Sequence, residues 1–465
     1  MSAGLIDTRK QLDAVSPSFC LAKWLQVTLH LQNGHNHSCH HPGTHQTPLD
    51  ELARDPSALH NTSFKKRLRR DMLTGVRPAE CDYCWKVEDA SPVNISDRVV
   101  KSHDPWAAPH FDEIRRAPWD GATTPSYVEV SFSNVCNFAC SYCGPWASSK
   151  WVEEIRQHGP YVGARRFNNL EDLAAARRMP IPEREENPYV NAFWEWWPTL
   201  YPKLEVFRIT GGEPLLSKHT MRVLRWILDN PRPDLQLAVN SNLGVPDQLY
   251  EEFLGLVLEL VTRGCVKQFE LYTSVDAHGT RAEYIRNGLN YGKWLGNVRR
   301  YLQRVPNQRL VIMCTFNALS ITSFPRLYSD ILELRAAHPP LDMEADPGGR
   351  VRIDLPYLRN PDHQGVMILP PTYGERMEDI VGSVEAAPAS LEMERVQLRR
   401  IRSLMTQQMP AVKLTQARAS FYNFFTEHDR RRGTSFLSTF PEMASFWRLC
   451  RDQAVAAQPR QRDSS

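Results

Sequence analysis

No stretch of the 465 residues approaches the ~20 consecutive apolar residues that a membrane-spanning helix needs. The N-terminal segment, Met1 to Phe19, likewise lacks the apolar core of a secretory signal peptide. No membrane partner is expected, and the expected location is the cytoplasm. Thiols stay reduced there, so the ten cysteines do not read as a disulfide framework. Neither sign of charge dominates: 56 Lys and Arg stand against 53 Asp and Glu, and a net charge of +3 says little about partners. Wholesale disorder is excluded by an ordinary globular balance, 42% hydrophobic and 23% charged residues.

At roughly 150 residues per domain the length predicts two or three units. Residues 1–105 are rich in His and Cys and read as an N-terminal module. It has an extended stretch from Trp24 to Leu31, a turn at Gly34 and a helix from Ser63 to Leu73. Residues 106–360 alternate strands and helices. Strands are expected at Tyr127–Phe132, Leu204–Ile209, Leu235–Asn240, Val266–Val275, Leu310–Phe316 and Val351–Leu355, with helices such as His219–Leu228 and Leu249–Val261 between them. Such alternation implies an α/β fold with a parallel sheet, and six units suggest a partial (β/α)6 TIM-like barrel rather than the full eight-unit one. Chemistry in such barrels sits at the C-terminal ends of the strands. Residues 361–465 read as a mainly helical C-terminal region, with a disordered tail from Gln458 to Ser465.

Seven cysteines cluster along the chain, which points to metal ligation. Cys136, Cys140 and Cys143 follow the Tyr127 strand directly. Three thiolates on one tight loop can ligate three irons of a cubane and leave the fourth iron open. A zinc loop or redox dithiol is the alternative, but zinc would want a fourth local ligand and none is adjacent. Gly211-Gly212-Glu213-Pro214 follows the next strand. Its glycines let backbone approach a ligand closely, and Glu213 offers an acceptor to an ammonium group; alone, the four residues could be a simple turn. Cys265, Cys314 and Cys450 stand apart and read as small buried core residues. The run Phe193-Trp194-Glu195-Trp196-Trp197 reads as packing, with a lid as the alternative.

The Cys-x3-Cys-x2-Cys spacing, followed by Gly-Gly-Glu-Pro, resembles the radical S-adenosylmethionine (SAM) superfamily over about residues 125–355. The resemblance implies a four-iron cluster whose open iron binds SAM, and reductive cleavage of SAM to a 5′-deoxyadenosyl radical that abstracts a substrate hydrogen. It further implies that Gly211, Gly212 and Glu213 hold the SAM amino group. Asn240, Ser241 and Asn242, with Ser274 and Asp276, resemble positions that contact the SAM ribose or carboxylate. Arg286 resembles the arginine that pairs with that carboxylate, and Tyr142 the aromatic residue near adenine. Taken singly, each of these is as readily a structural cap. A one-electron reductant such as flavodoxin or ferredoxin is implied as partner.

Cys20, Lys23-Trp24, Cys39, His60-Asn61, Cys81 and Cys84 stand in an order that resembles the twitch/SPASM auxiliary-cluster modules of the same superfamily. There the module usually follows the barrel; here it precedes it. The resemblance implies a second four-iron cluster on Cys20, Cys39, Cys81 and Cys84. Structural zinc is the alternative. His35, His37, His40, His41 and His45 read as surface or loop residues rather than ligands.

The module, together with Cys143-Gly-Pro-Trp-Ala-Ser-Ser-Lys150-Trp, is similar to phage-type radical SAM proteins. Some of those act as isomerases in thymidine hypermodification, turning an N-linked glycine adduct into the Cα-linked form. The implied substrate is then modified DNA or a nucleotide, in the host cytoplasm if the gene is a phage's. Three basic runs suit DNA: Lys65 to Arg70, Arg395 to Arg402 and Arg430 to Arg432, the last near an aromatic patch at Phe421, Tyr422, Phe424 and Phe425. Each run alone also reads as a solvated helix face. Peptide maturation by a radical SAM oxidoreductase is the alternative activity.

Overall fold

The fold is known from a computed structural model, which describes residues 3–91, 93–161, 168–340, 348–407 and 409–457. The C-terminal tail from Gln458 lies outside the described residues. The protein is α/β with a mostly parallel sheet. It divides into two compact units: Met1–Asn134, Ala176–Val239 and Arg263–Gln268 form the first, and Val135–Ala175, Asn240–Thr262 and Phe269–Ser465 the second. Among the described residues no helix is long and apolar enough to cross a membrane.

In the first unit β1 (Gln26–His30), β2 (His35–His37), β3 (His45–Gln46), β4 (Tyr127–Ser131), β6 (Val206–Thr210) and β7 (Arg232–Ser241) make one ladder. The segment β5 (Ala139–Cys140) belongs to the second unit. Strands β1, β4, β6 and β7 run parallel; β2 and β3 extend the edge antiparallel. The expected stretch Trp24–Leu31 is part helix: a turn at Ala22–Leu25 precedes β1, which pairs Thr28 with Glu129 and so joins the N-terminal segment to the parallel ladder.

The register explains the two faces of this ladder. Side chains alternate along a strand. Val27 and Leu29 align with Val128 and Val130, then with Phe207 and Ile209, then with Leu237 and Val239, and all are buried. The opposite face carries Gln26, Thr28 and His30, then Glu129 and Ser131, then Arg208 and Thr210. Glu129 and Arg208 stand 3.8 Å apart in mid-sheet and keep a little accessible side-chain surface, while Gln26, Thr28 and Ser131 on the same face are buried. Gln26 Oε1, Thr28 Oγ1 and Ser131 Oγ have no hydrogen-bond partner there.

The expected helix Ser63–Leu73 forms with those bounds, capped by the Thr62 hydroxyl, which accepts from the Lys65 N–H. The Trp-rich run sits in the helix Pro188–Leu200, where Phe193, Trp196 and Trp197 are buried; it is packing. In the second unit β8 (Val266–Ser274, from Phe269 on), β10 (Arg309–Met313) and β11 (Val351–Asp354) are parallel neighbours, and β9 (Arg286–Asn287) pairs antiparallel with β5. Helices at Gly374–Ala386, Glu392–Met405, Ala411–Arg432 and Ala444–Ala456 make the C-terminal region. Cys265, Cys314 and Cys450 are buried core residues, as expected.

Candidate functional site

The three-cysteine loop lies in the second unit. The strands β5 and β9 hold it: Cys140 pairs with Arg286, and the Ser141 N–H donates to the Ile285 carbonyl at 2.7 Å. Gly288 has φ +107°, and a Cβ there would meet Phe138 and the Asn137 carbonyl at 2.7 and 2.8 Å, so only glycine allows the loop so close. Asn242 Nδ2 lies 3.9 Å from Cys136 Sγ and Arg286 Nη1 3.8 Å from Cys140 Sγ. Burial, then neighbouring Cys140, pushes the Cys143 thiol up to about 12. Burial raises Cys140 as well, against Arg286. Burial thus favours the thiol form of Cys140 and Cys143 unless something binds them.

Beside the loop is a buried ion pair. Arg286 Nε and Nη2 donate to the two carboxylate oxygens of Asp276 at 2.8 and 3.1 Å. The Tyr142 hydroxyl donates to Asp276 Oδ2 at 2.8 Å, and the Thr315 N–H to Oδ1 at 2.9 Å. Burial lifts the Tyr142 phenol well above its usual range. Thus Tyr142, Asp276 and Arg286 form one network bonded through Arg286 to Cys140. The Ser241 hydroxyl accepts from the Leu243 N–H, and Asn242 Oδ1 from the Gly244 N–H, so both shape the turn after β7. Asn240 and Ser274 stand at the ends of β7 and β8.

Gly211, Gly212 and Glu213 follow β6 in the first unit. Gly211 has φ +125°, and a Cβ would come within 2.5 Å of Ser131 Oγ. The Gly212 N–H donates to the Ser133 carbonyl at 3.2 Å. Glu213 is buried, and its Oε1 caps the next turn by accepting from the Leu215 N–H at 3.1 Å.

The four N-terminal cysteines come together, lining one pocket with Lys23, His41, Asp97, Arg98 and Lys101. All four are free. Burial pushes Cys81 and Cys84 up to about 12. Among the described residues no three of His, Cys, Asp and Glu stand close enough to clasp a single metal ion. A cubane spreads its thiolates over separate irons, so its ligands stand wider apart than those of one zinc. Four free thiols lining one pocket are, in kind and number, the donors that a cubane takes.

Two expectations are corrected. Three of the five histidines stand on strands, whereas His40 and His41 lie in the loop between β2 and β3, His40 exposed. His35 and His37 lie on β2 and His45 on β3, where burial pulls His45 down to about 3. Their rings bond to protein: His35 to Thr44 and the Arg177 carbonyl, His41 to Asp97, His45 to Thr62. Nor are the basic runs open stripes. Lys65 and Arg69 are fully buried, bonding His60 at 2.9 Å each, while Arg69 also bonds Asn61 and the Lys23 carbonyl. Arg399 pairs with Glu385 and Glu392, Arg402 with Glu378, Arg430 and Arg431 with Glu427, and Arg432 with Glu154. Phe421, Phe424 and Phe425 are core. His60 and Asn61 were legible as a motif; the inward Lys65 and Arg69 were not.

No family model matches the chain. It is 30% identical over 116 residues, 25% of its length, to the GTP 3′,8-cyclase of Nautilia profundicola, covering 27% of that protein. It is 27% identical over 116 residues to the GTP 3′,8-cyclase of Sulfurimonas denitrificans, again 27% of that protein. Over 144 residues, 31% of the chain and 30% of the relative, it is 26% identical to the GTP 3′,8-cyclase of Mycobacterium marinum. The chain thus spans less than a third of the length of the curated relatives it matches. The likeness supports a radical SAM enzyme at the level of the superfamily.

Proposed function

We propose that the protein is a radical SAM enzyme that abstracts hydrogen from a nucleic-acid component. In this reading it comprises an auxiliary iron–sulfur module (residues 1–105), a partial (β/α)6 barrel (106–360) and a helical C-terminal region (361–465). The observation that carries the reading is the buried loop of Cys136, Cys140 and Cys143, with nitrogen donors near two of its sulfurs. These three thiolates would hold three irons of a four-iron cluster. Once bound, that cluster supplies the electron that cleaves SAM. N–H groups of Asn242 and Arg286 near the sulfurs tune and orient such ligands. Glu213 would accept from the SAM ammonium group. The Tyr142–Asp276–Arg286 network would fix the wall beside the loop.

The substrate class rests on two supports. The relatives are named for cyclising GTP, a nucleotide. The polar face of β1, β4 and β6 offers donors and acceptors of both kinds, including three with no protein partner, as a base or sugar edge requires. The basic runs, partly buried and partly ion-paired, do not supply a long DNA footprint, which favours a nucleotide or a locally presented base.

The specific form of the reading is isomerisation of an N-linked glycine adduct of thymidine to the Cα-linked form. Loss of the α-hydrogen leaves a radical stabilised by both amine and carboxylate. The test is mass spectrometry of nucleosides from DNA made with the active enzyme and with its Cys136→Ala variant. A nucleoside of unchanged mass but altered retention, present only with the active enzyme, is expected. Identical nucleoside profiles, with a small peptide altered instead, would move the protein to the peptide-modifying class.

A further inference from the structure

Lys23 is a buried charge on the wall of the pocket that the four N-terminal cysteines line. It is only 2% exposed, yet it lines the pocket of Cys20, Cys39, Cys81 and Cys84. Its ammonium pairs with Glu80, whose carboxylate is 17% exposed and which precedes Cys81 directly. The other cations on this wall differ. Arg98 is equally buried but is committed to Glu88, Asp13 and the Phe19 carbonyl. Lys101 is part-exposed, and water screens it. Burying an ammonium costs several kcal/mol unless something repays it, and here Glu80 and the cysteine wall stand against that cost. A group of high negative charge in the pocket would lie directly beside this cation.

We infer that the Lys23–Glu80 pair sets the reduction potential of the auxiliary cluster held by the four N-terminal cysteines. The inference rests on the auxiliary-cluster reading of that pocket. One-electron reduction adds one negative charge to the cluster. A buried cation on the pocket wall stabilises the reduced state more than the oxidised one, because little water intervenes. Lys23 therefore raises the potential, and Glu80 lowers it by drawing on the same cation. Four cysteines saturate four irons, so the site is built to hold an electron rather than to bind substrate at iron.

The full chain carrying Cys136→Ala isolates the auxiliary site. In that background Lys23→Met, Glu80→Gln, Lys23→Arg and the double variant Lys23→Met/Glu80→Gln are reconstituted anaerobically. Iron and zinc are counted, and the midpoint potential is read by electron paramagnetic resonance in a mediated redox titration. Lys23→Met should lower the potential, Glu80→Gln should raise it, the double variant should fall between them, and Lys23→Arg should stay near the parent. Iron retained with potentials unmoved, or both single variants shifting in one direction, overturns the role of the pair while leaving the cluster standing. Zinc in place of iron in the parent overturns both. If Lys23→Met loads no iron, Glu80→Gln and Lys23→Arg decide by the same signs.

Discussion

Glu213 shows how one residue can serve the backbone and a ligand together. Its Oε1 caps the turn after β6 through the Leu215 N–H, and the side chain is buried. Glu213→Gln keeps an oxygen acceptor for that N–H, so the turn should persist. It removes the negative charge that a SAM ammonium would meet. A charge-assisted bond is worth about 1.5–3 kcal/mol, so SAM affinity should fall by roughly tenfold or more. Iron content should not change, since Glu213 is no iron ligand in this reading. Binding measured by calorimetry on an iron-counted preparation checks both. Unchanged affinity would place the SAM ammonium elsewhere. The Asp276–Arg286 pair makes the contrasting case: both carboxylate oxygens are already engaged by protein donors, so its first role is to shape the wall beside Cys140.

At the scale of elements, the helix Ala411–Arg432 carries a pH-dependent liability. His428 on it is 1% exposed and packs on Tyr284 and Phe425, with ring centroids 4.6 and 5.6 Å away. Neither ring nitrogen has a hydrogen-bond partner; Asp429 Oδ1, at 3.9 Å, is too far. Burial is the largest influence and pulls its pKa to about 4, with Arg432 adding to it and Asp429 and Glu154 opposing. The unfolded imidazole titrates near 6.5. Between those values the unfolded chain binds a proton that the folded one refuses, so stability is full above pH 6.5 and declines as pH falls towards 4. At pH 5 the loss from this group alone is about 2 kcal/mol. Comparing urea unfolding of the wild type and His428→Leu at pH 7.5 and pH 5.0 isolates it: the difference should shift by that amount in favour of the variant. A pH-independent difference would refute the assignment. What the sequence revealed of such elements follows from where their signal lies. The parallel strands were legible because Val128 and Val130, or Phe207 and Ile209, alternate with polar residues. The helix Ser63–Leu73 was legible in extent but not in facing. Its buried residues, Lys65, Arg69 and Met72, keep helical spacing, yet two are cations. They turn inward because Asn61 and the Lys23 carbonyl accept from Arg69 and the His60 ring stands 2.9 Å from both, which no periodicity reports. The strands β5 and β9, two residues each, are fixed only by long-range pairing of Cys140 with Arg286. Likewise the three-cysteine loop was legible from spacing, while its Asn242 and Arg286 neighbours needed the fold.

For the molecule as a whole, the decisive feature is that each cysteine set lies within one compact unit. Cys20, Cys39, Cys81 and Cys84 belong to the first, and Cys136, Cys140 and Cys143 to the second. Ligands confined to one unit can be removed without unmaking the other site, since substitutions with no shared partners act independently. Two cubanes amount to about eight irons per chain in anaerobically prepared protein. Cys136→Ala should leave about half of that and abolish formation of 5′-deoxyadenosine from SAM, because the open iron belongs to its cluster. Cys81→Ala with Cys84→Ala should also leave about half, but the remaining iron should still support SAM cleavage under a strong reductant. Iron counts, zinc counts and 5′-deoxyadenosine yield on the same three preparations separate the possibilities. Stoichiometric zinc in the parent that disappears with Cys81 and Cys84 would make the N-terminal site structural. 5′-Deoxyadenosine from the Cys136→Ala protein would remove the catalytic assignment from this loop altogether. Loss of all iron in either variant would mean that the two sites depend on each other, against the independence that the division of ligands between the units implies.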